Sequence, residues 1–394
     1  MRTAIVGGGA AGFFLAINLK EMAPEMEVTV MERSRRLLAK VEVSGGGRCN
    51  CTNSFQYVTD LSSVYPRGHR LLKRLFKGFG PLDAYQWFER HGVRLVTQED
   101  GCVFPASQDA HTIIDCFLRE ARRHQVEIRT QVKVGSLGEL SGYDFVVVCT
   151  GGSPRIEGLQ WLADAGHEVV QPVPSLFSLS IADKALNGLM GTVIEDVQAG
   201  IPGTRFRSEG PLLITHWGIS GPAVLRLSSY AARHLYEAAY EVPLSINWSG
   251  SGEGEVQQQL AAIVSQYPQK QLRSVRPFNL PARLWDYLLQ KTVGNRADNR
   301  WQAISQKERN RLANVLTNDT YRTAGRAAFR DEFVTCGGIA LGSVNTATLE
   351  SRHVPHLYFA GEVLDIDGVT GGFNFQAAWT TAYTVAKAIA SASA

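Results

Sequence analysis

A chain of 394 residues has room for two or three domains with a substantial core. With 44% hydrophobic and 20% charged residues, its composition is that of an ordinary soluble globular protein. A net charge of +3 selects no partner, no apolar run is long enough to span a bilayer, and six cysteines without a C-x-x-C pair read as reduced thiols of a cytoplasmic protein.

The first predicted element is a buried parallel strand, Thr3-Ala4-Ile5-Val6, running straight into Gly7-Gly8-Gly9-Ala10-Ala11-Gly12. A helix follows through Phe13, Leu15, Ala16, Ile17 and Leu19, and then a second strand, Val28 to Met31. That strand ends at Glu32, about twenty residues after the last glycine, where a carboxylate reaches a ribose hydroxyl. Gly7 permits the tight turn, Gly9 lets backbone amides approach a pyrophosphate, and Gly12 lets helix and strand pack closely. The bare N–H groups of the helix's first turn and its dipole favour negative charge there. Strand, glycines, helix and acid together predict a bound dinucleotide, and Glu32 disfavours a phosphate on the ribose, so NADP is not expected at this site.

After the basic segment Arg33-Ser34-Arg35-Arg36 comes Lys40 and then Ser44-Gly45-Gly46-Gly47-Arg48-Cys49-Asn50-Cys51-Thr52-Asn53. Three consecutive glycines followed by Arg and Asn make a loop whose backbone lies flat against a ligand. Helices are predicted within 70–91 and over 109–124, the second amphipathic through Ile113, Ile114, Phe117, Leu118 and Ala121. Glu127 to Val134 alternates as a strand, and Asp144 to Cys149 is a buried strand ending in Thr150-Gly151-Gly152, a second close approach to the dinucleotide.

From about Ser178 the pattern changes. Short strands (Leu179–Ile181, Thr192–Val197, Leu212–Thr215, Val242–Trp248) alternate with glycines and prolines, which predicts a small antiparallel barrel or sandwich. Within it, Thr215-His216-Trp217-Gly218-Ile219-Ser220-Gly221-Pro222 leads into a helix with Ser220 as the expected N-cap. Helices over 255–267, 281–291 and 305–316 follow the linker Ser249-Gly250-Ser251-Gly252. Between 255 and 318 ten cations face four carboxylates, a local net charge of +6. Beyond Phe333 the first pattern returns: strand Leu357 to Ala360, Gly361-Glu362, then Gly371-Gly372-Phe373-Asn374 opening a final helix over 375–390. The first and last stretches therefore belong to one domain, 1–180 with 337–394. The middle is an insert with a β-barrel part, 181–250 with 320–336, and a helical part, 251–319.

Ser44 to Asn53, Thr215 to Pro222, and Phe359 to Asn374 resemble, in order, three signatures of the HI0933-like flavoproteins, also called the aminoacetone oxidase or BaiN-type family. The resemblance implies an α/β fold: a Rossmann-like FAD-binding domain of the two-dinucleotide-binding type, interrupted by an insert with a β-barrel part and a helical part. It implies FAD as cofactor, with Gly7, Gly9, Ala11 and Gly12 at the pyrophosphate, Glu32 at the adenosine ribose and Val132 at the adenine, and Arg33 among the cofactor-binding residues. Lys40, Ser44, Gly46, Gly47, Arg48, Cys49 and Asn50 would line the flavin side. Gly361 and Glu362 would meet the ribityl-phosphate region, and Gly372, Phe373 and Asn374 the pyrimidine end of the isoalloxazine. Thr150 and Gly151 complete the cofactor set.

The expected activity is that of an FAD-dependent oxidoreductase moving a hydride between flavin N5 and a small organic substrate; the family suggests an amino-ketone or amine. A flavin-dependent reductase using NAD(P)H is the alternative, although no second G-x-G-x-x-G marks a separate nicotinamide domain. A further alternative is an FAD protein acting on or docked to RNA through the basic insert, though no RNA-binding motif is present. The residues reveal no catalytic acid or base and no metal site. His216 and Cys49 are the outlying catalytic candidates; His216 reads more readily as a histidine satisfying nearby backbone, and Cys49 equally well as a small packing residue.

Overall fold

The fold was obtained as a computed structural model that describes residues 1–153, 155–326 and 334–393. The chain divides into two compact units, one made of Met1–Pro174 with Val334–Ala394 and the other of Ser175–Phe333.

The first unit is built on a five-stranded parallel sheet in the order Leu357–Phe359, Phe145–Val148, Arg2–Val6, Glu27–Glu32, Glu127–Thr130. The first strand is central because it is apolar on both faces: Ile5 pairs with Val30 on one side and Val147 on the other, and Thr3, Ala4 and Ile5 are fully buried. The opening helix, Ala10–Met22, is buried at every residue from Ala11 to Leu19, as an all-apolar helix must be. Its one polar residue inside that stretch, Asn18, donates to the Phe14 carbonyl at 2.7 Å. The helix packs on His111–Arg123 and on the closing helix, Phe373–Ser393, through a seam in which the Phe14 ring lies 4.6 Å from Trp87 and 5.1 Å from Trp379. The closing helix starts at Phe373, two residues earlier than the spacing predicts, which puts Phe373 and Asn374 inside its first turn. The strand predicted to run to Val134 ends at Thr130, because Gln131 takes a left-handed conformation at φ +62.

In the second unit the short strands close into a six-stranded barrel. Its order is Val193–Gly200, Arg207–Thr215, Gly218–Ser220, Leu179–Ile181, Asp319–Arg326, Pro243–Asn247. Leu179, Leu212, Ile214, Ile219, Leu244 and Ile246, all fully buried, belong to its core. The same core continues into the helices Glu253–Gln266, Ala282–Val293 and Gln306–Asn318, where Trp285 and Trp301 stack at 6.3 Å. Asp319, 2% exposed, accepts from Trp248 Nε1 at 3.0 Å and from Lys291 and Tyr321, tying barrel to helix. The expected cap at Ser220 is corrected. Ser220 ends a strand and its hydroxyl accepts from Ser178 at 2.7 Å, while Gly221, at φ +91, caps the helix Pro222–Tyr230. The cap moves one residue because a Cβ at 221 would sit 2.9 Å from the Pro211 carbonyl oxygen, so the turn itself requires glycine. Residues 327–333, assigned from sequence to the barrel part, lie outside the described residues. Among the described residues no helix is long and apolar enough to cross a membrane.

Candidate functional site

The turn after the first strand contains two glycines that the fold needs and one it leaves open. A Cβ on Gly7, at φ +123, would lie 2.3 Å from the Cys149 carbonyl oxygen, and one on Gly12 would lie 2.0 Å from the Gly7 carbonyl oxygen. A Cβ on Gly9 would meet nothing within 4 Å. Gly9 is the N-cap of the opening helix, no side chain caps it, and no acid stands in the first turn. The result is a helix N-terminus with donor groups free for an anion and backbone space in front of it.

Glu32 is braced against this turn. Its Oε2 accepts from the Gly8 N–H at 2.9 Å and its Oε1 from the Ser34 N–H at 2.8 Å, so the carboxylate is oriented by backbone alone. Past the end of the neighbouring strand, the Val132 N–H donates to the Glu32 carbonyl at 3.0 Å, bringing those two residues together. Arg33 is exposed beside them.

The C-terminal motif meets the N-terminal one at Gly361, whose Cβ would touch that of Ala11 at 2.9 Å. Next to it, Glu362 forms an ion pair with Lys40 at 2.7 Å and accepts from the Thr335 N–H at 2.8 Å. Gly151 lies beside the same carboxylate, with its Cβ position 3.8 Å from Glu362 Oε2, and the neighbouring Thr150 is exposed. Thr335 had no signal in the sequence beyond its place before Gly337-Gly338.

The glycine loop is left-handed throughout, at φ +58, +69 and +85 for Gly45, Gly46 and Gly47, and Cβ atoms on Gly46 and Gly47 would meet nothing within 4 Å. Its flanks are fixed: the Ser44 hydroxyl donates to the Val41 carbonyl at 2.7 Å, and the Arg48 guanidinium sits 4.3 Å over the Phe104 ring. Cys49 is fully buried, and burial pushes its thiol up to about 12, which favours the protonated form. With its amide oriented so that both atoms are satisfied, Asn50 donates to the Thr52 carbonyl at 2.9 Å and accepts from the Gly372 N–H at 3.2 Å. Trp379 Nε1 donates to the Cys51 carbonyl at 2.7 Å and Asn53 donates to the Gly371 carbonyl at 2.9 Å, so the loop is stitched to the start of the closing helix.

At that helix start the side chains turn inward. The Phe373 ring packs 5.1 Å from Phe55, and its carbonyl accepts from the Tyr65 hydroxyl at 2.8 Å. The Asn374 amide donates to the Gly368 carbonyl and accepts from the Gly368 N–H, both at 2.8 Å. What these two residues offer a ligand is therefore backbone, not side chain.

Sequence reasoning missed Arg67. Its side chain, 13% exposed, is ion-paired with Asp367, which is fully buried, and the two backbones form an antiparallel bridge. With the Val369 N–H donating to the Val64 carbonyl at 2.9 Å, this pair fixes the loop leading into Gly371-Gly372. Nothing in the sequence couples two residues three hundred positions apart. His216 is exposed on the barrel hairpin of the second unit, edge-on to Trp217 at 4.3 Å.

Residues 1–388 match the family described as "HI0933-like protein Rossmann domain". The chain is 27% identical to the 3-dehydro-bile acid delta(4,6)-reductase of Clostridium scindens, over 99% of this chain and 99% of that protein. It is 28% identical to the ribosomal RNA dihydrouridine synthase of Escherichia coli, over 97% of this chain and 96% of that protein. Among solved structures it resembles, with a TM-score of 0.50, 11% identity and 99% coverage of both chains, the 3-ketosteroid delta1-dehydrogenase of Sterolibacterium denitrificans, a likeness of fold. With a match running through both flanks and the insert, the chain belongs to the HI0933-like family, and it is an FAD-dependent oxidoreductase.

Proposed function

We propose that the protein reduces a carbon–carbon double bond conjugated to a carbonyl in a six-membered ring. The observation that carries this reading is the chemistry shared by the two whole-length relatives. One is named for a Δ4,6 reduction on a 3-oxo steroid acid and the other for turning uridine into dihydrouridine. In each named reaction the ring gains two electrons and two protons across such a bond. An amine or amino-ketone, the substrate suggested by family resemblance, has no counterpart in either name.

The chain's residues fit FAD. The open Gly9 and the bare first turn of Ala10–Met22 suit a pyrophosphate, and the braced Glu32 carboxylate suits a ribose diol. In this reading Gly46 and Gly47 present open backbone to the flavin side. The first turn of Phe373–Ser393, which contains no acid, aims its dipole at the edge where reduction builds negative charge. Lys40, held by Glu362, adds a cation near the ribityl-phosphate region without bringing net charge. Bound FAD supplies two-electron chemistry at N5. Carrying that chemistry to a conjugated ring makes the natural direction a reduction, with electrons entering from a separate donor.

The test is anaerobic. Enzyme reduced by dithionite and freed of excess reductant is mixed with a 4,6-dien-3-one steroid acid, with uridine-containing RNA, or with buffer, and return of flavin absorbance is followed. Reoxidation by either unsaturated compound, with the saturated product found by mass, is the expected result. Bleaching of oxidised enzyme by small amines or amino-ketones, with no reoxidation by either unsaturated compound, would overturn the reading.

A further inference from the structure

We infer that the turn around Tyr267 and Arg300 in the helical part of the second unit is a docking surface for single-stranded RNA. This rests on the reading above in its pyrimidine form, in which the reduced ring is a uracil.

The turn is rigid underneath and uncompensated on top. The Trp301 N–H donates to the Lys270 carbonyl and the Gln302 N–H to the Pro268 carbonyl, both at 3.0 Å, and Gln271 bridges to Arg300. Trp301 is fully buried and stacked on Trp285, whose Nε1 donates to the Leu272 carbonyl at 2.9 Å. Two segments thirty residues apart are thereby clamped together, and their outward side chains gather at one place. Tyr267 keeps 44% of its surface exposed, a large area for a ring at a helix end. Lys270 and Arg300 are exposed beside it.

Among the described residues, no carboxylate is paired with Lys270 or Arg300. Asp298 and Asp286 both face Arg273, at 3.0 and 3.8 Å. Arg300 is held instead by the Gln269 amide oxygen at 2.6 Å, and Gln269 in turn donates to Gln302 at 2.9 Å. An amide orients a guanidinium without neutralising it, so Arg300 keeps its full charge in a fixed direction. A merely solvated charged face has no need of an arginine aligned by an amide, an exposed lysine and an exposed aromatic ring at one spot.

Each part has a use on a nucleic-acid strand. The tyrosine face stacks an unpaired base, the two cations meet phosphates, and the glutamine amides reach base edges. Duplex DNA is the weaker fit, because a flat turn has no helix or ribbon to enter a major groove.

The test uses FAD-loaded full-length protein and a short fluorescein-labelled uridine-rich RNA, followed by anisotropy over a salt series. The wild type should bind with an affinity falling steeply with salt. The double variant K270Q/R300Q should flatten the slope of log K against log salt by about 1.4, two contacts at about 0.7 each for a single strand. Tyr267→Ala should weaken binding roughly 5- to 150-fold, the range for one lost base stack, with Tyr267→Phe close to wild type. All three variants should retain FAD and the flavin reoxidation of the wild type with free small substrates, which separates failure of the surface from failure of the reductase reading. Undetectable RNA binding at low salt, binding that the substitutions leave unchanged, equal affinity for a DNA strand of the same sequence, or capture by anionic phospholipid vesicles in place of RNA would each overturn the inference.

Discussion

At Gly9 an added Cβ would meet nothing within 4 Å, whereas at Gly372 it would lie 2.2 Å from the Thr52 carbonyl oxygen. Both glycines open helices that end at the proposed FAD site, and both stand in strings of small residues. The first turn is closed largely by its own segment, where Gly12 packs on Gly7 and Gly8 donates to Glu32, with the Cys149 carbonyl and Gly361 as its distant walls. The second is assembled from far away, with Asn50, Thr52, Asn53 and Tyr65 all bonded to residues 371–376. One helix start is a mostly local cradle with an open floor, and the other is an interface between distant segments whose side chains are already spoken for. The cradle's function is therefore separable from its folding, while the interface's is not.

The largest effect comes from violating that distinction. Gly12→Ala places a methyl against backbone that cannot yield, and Gly372→Ala adds a left-handed conformation at φ +85 to the same kind of clash. Each should cost more than about 4 kcal/mol, seen as loss of the cooperative unfolding transition or of soluble protein. Gly9→Ala should unfold within about 1 kcal/mol of wild type yet bind FAD at least about tenfold more weakly, read by equilibrium dialysis of the released flavin. Full FAD affinity in Gly9→Ala would place the pyrophosphate elsewhere.

The interface side is sharpened by Arg67→Met. Removing the guanidinium takes the ion-pair partner from a fully buried carboxylate, which costs about 3–5 kcal/mol. Adding Asp367→Asn should return part of that loss in denaturant melts. A single variant as stable as wild type would mean that the pair does not hold the loop.

On the cradle side, Glu32→Ala removes a carboxylate that backbone N–H groups orient from two directions. FAD affinity should fall by about 1.5–3 kcal/mol, with partial recovery in Glu32→Asp. An unchanged dissociation constant in a fluorescence titration would rule out the ribose contact.

Legibility in the sequence followed the same division. The first strand, glycine turn, opening helix and Glu32 are contiguous, so their geometry is set by local sterics and readable in thirty residues. The barrel strands showed as short alternating runs, but barrel and sandwich stayed open. Closure depends on pairings such as Gln198 with Asn247 and Ile181 with Thr323, which no local pattern encodes. The glycine loop and the Gly361-Glu362 turn stood out by composition, while their partners Lys40, Thr335 and Tyr65 were fixed only by tertiary packing. Arg67 is the limiting case, a single arginine in an unremarkable stretch whose role exists only once Asp367 is folded against it. The Ser220 cap failed for a related reason, since an antiparallel strand took the serine and left the cap to the glycine that the turn demanded.

The smallest effect lies at the far end of the opening helix and depends on pH. Glu21 meets His91 Nε2 at 2.9 Å and His124 at 3.8 Å, with His91 stacked on Trp87 at 3.9 Å. The hydrogen bond from His91, helped by His91, His124 and Arg90 charge and opposed by burial, holds the Glu21 carboxyl below its ordinary value of 4.5. Burial opposes charge on His91, but the hydrogen bonds to Glu21 and the Trp87 carbonyl, with the charges of Glu21 and Glu120, outweigh it and raise its pKa above 6.5. A depressed carboxyl contributes stability above its unfolded pKa and loses it as pH falls through the folded value. A raised imidazole contributes below its unfolded pKa and loses it as pH rises through the folded value. The two conditions overlap between 4.5 and 6.5, so the pair stabilises most in that window. Because Glu21 is partly exposed, the contribution is under about 1 kcal/mol. Glu21→Gln should therefore lower the melting temperature near pH 5.5 and leave it close to wild type near pH 8.5. A difference that is the same at both pH values would show that the glutamate acts through packing and not through its charge.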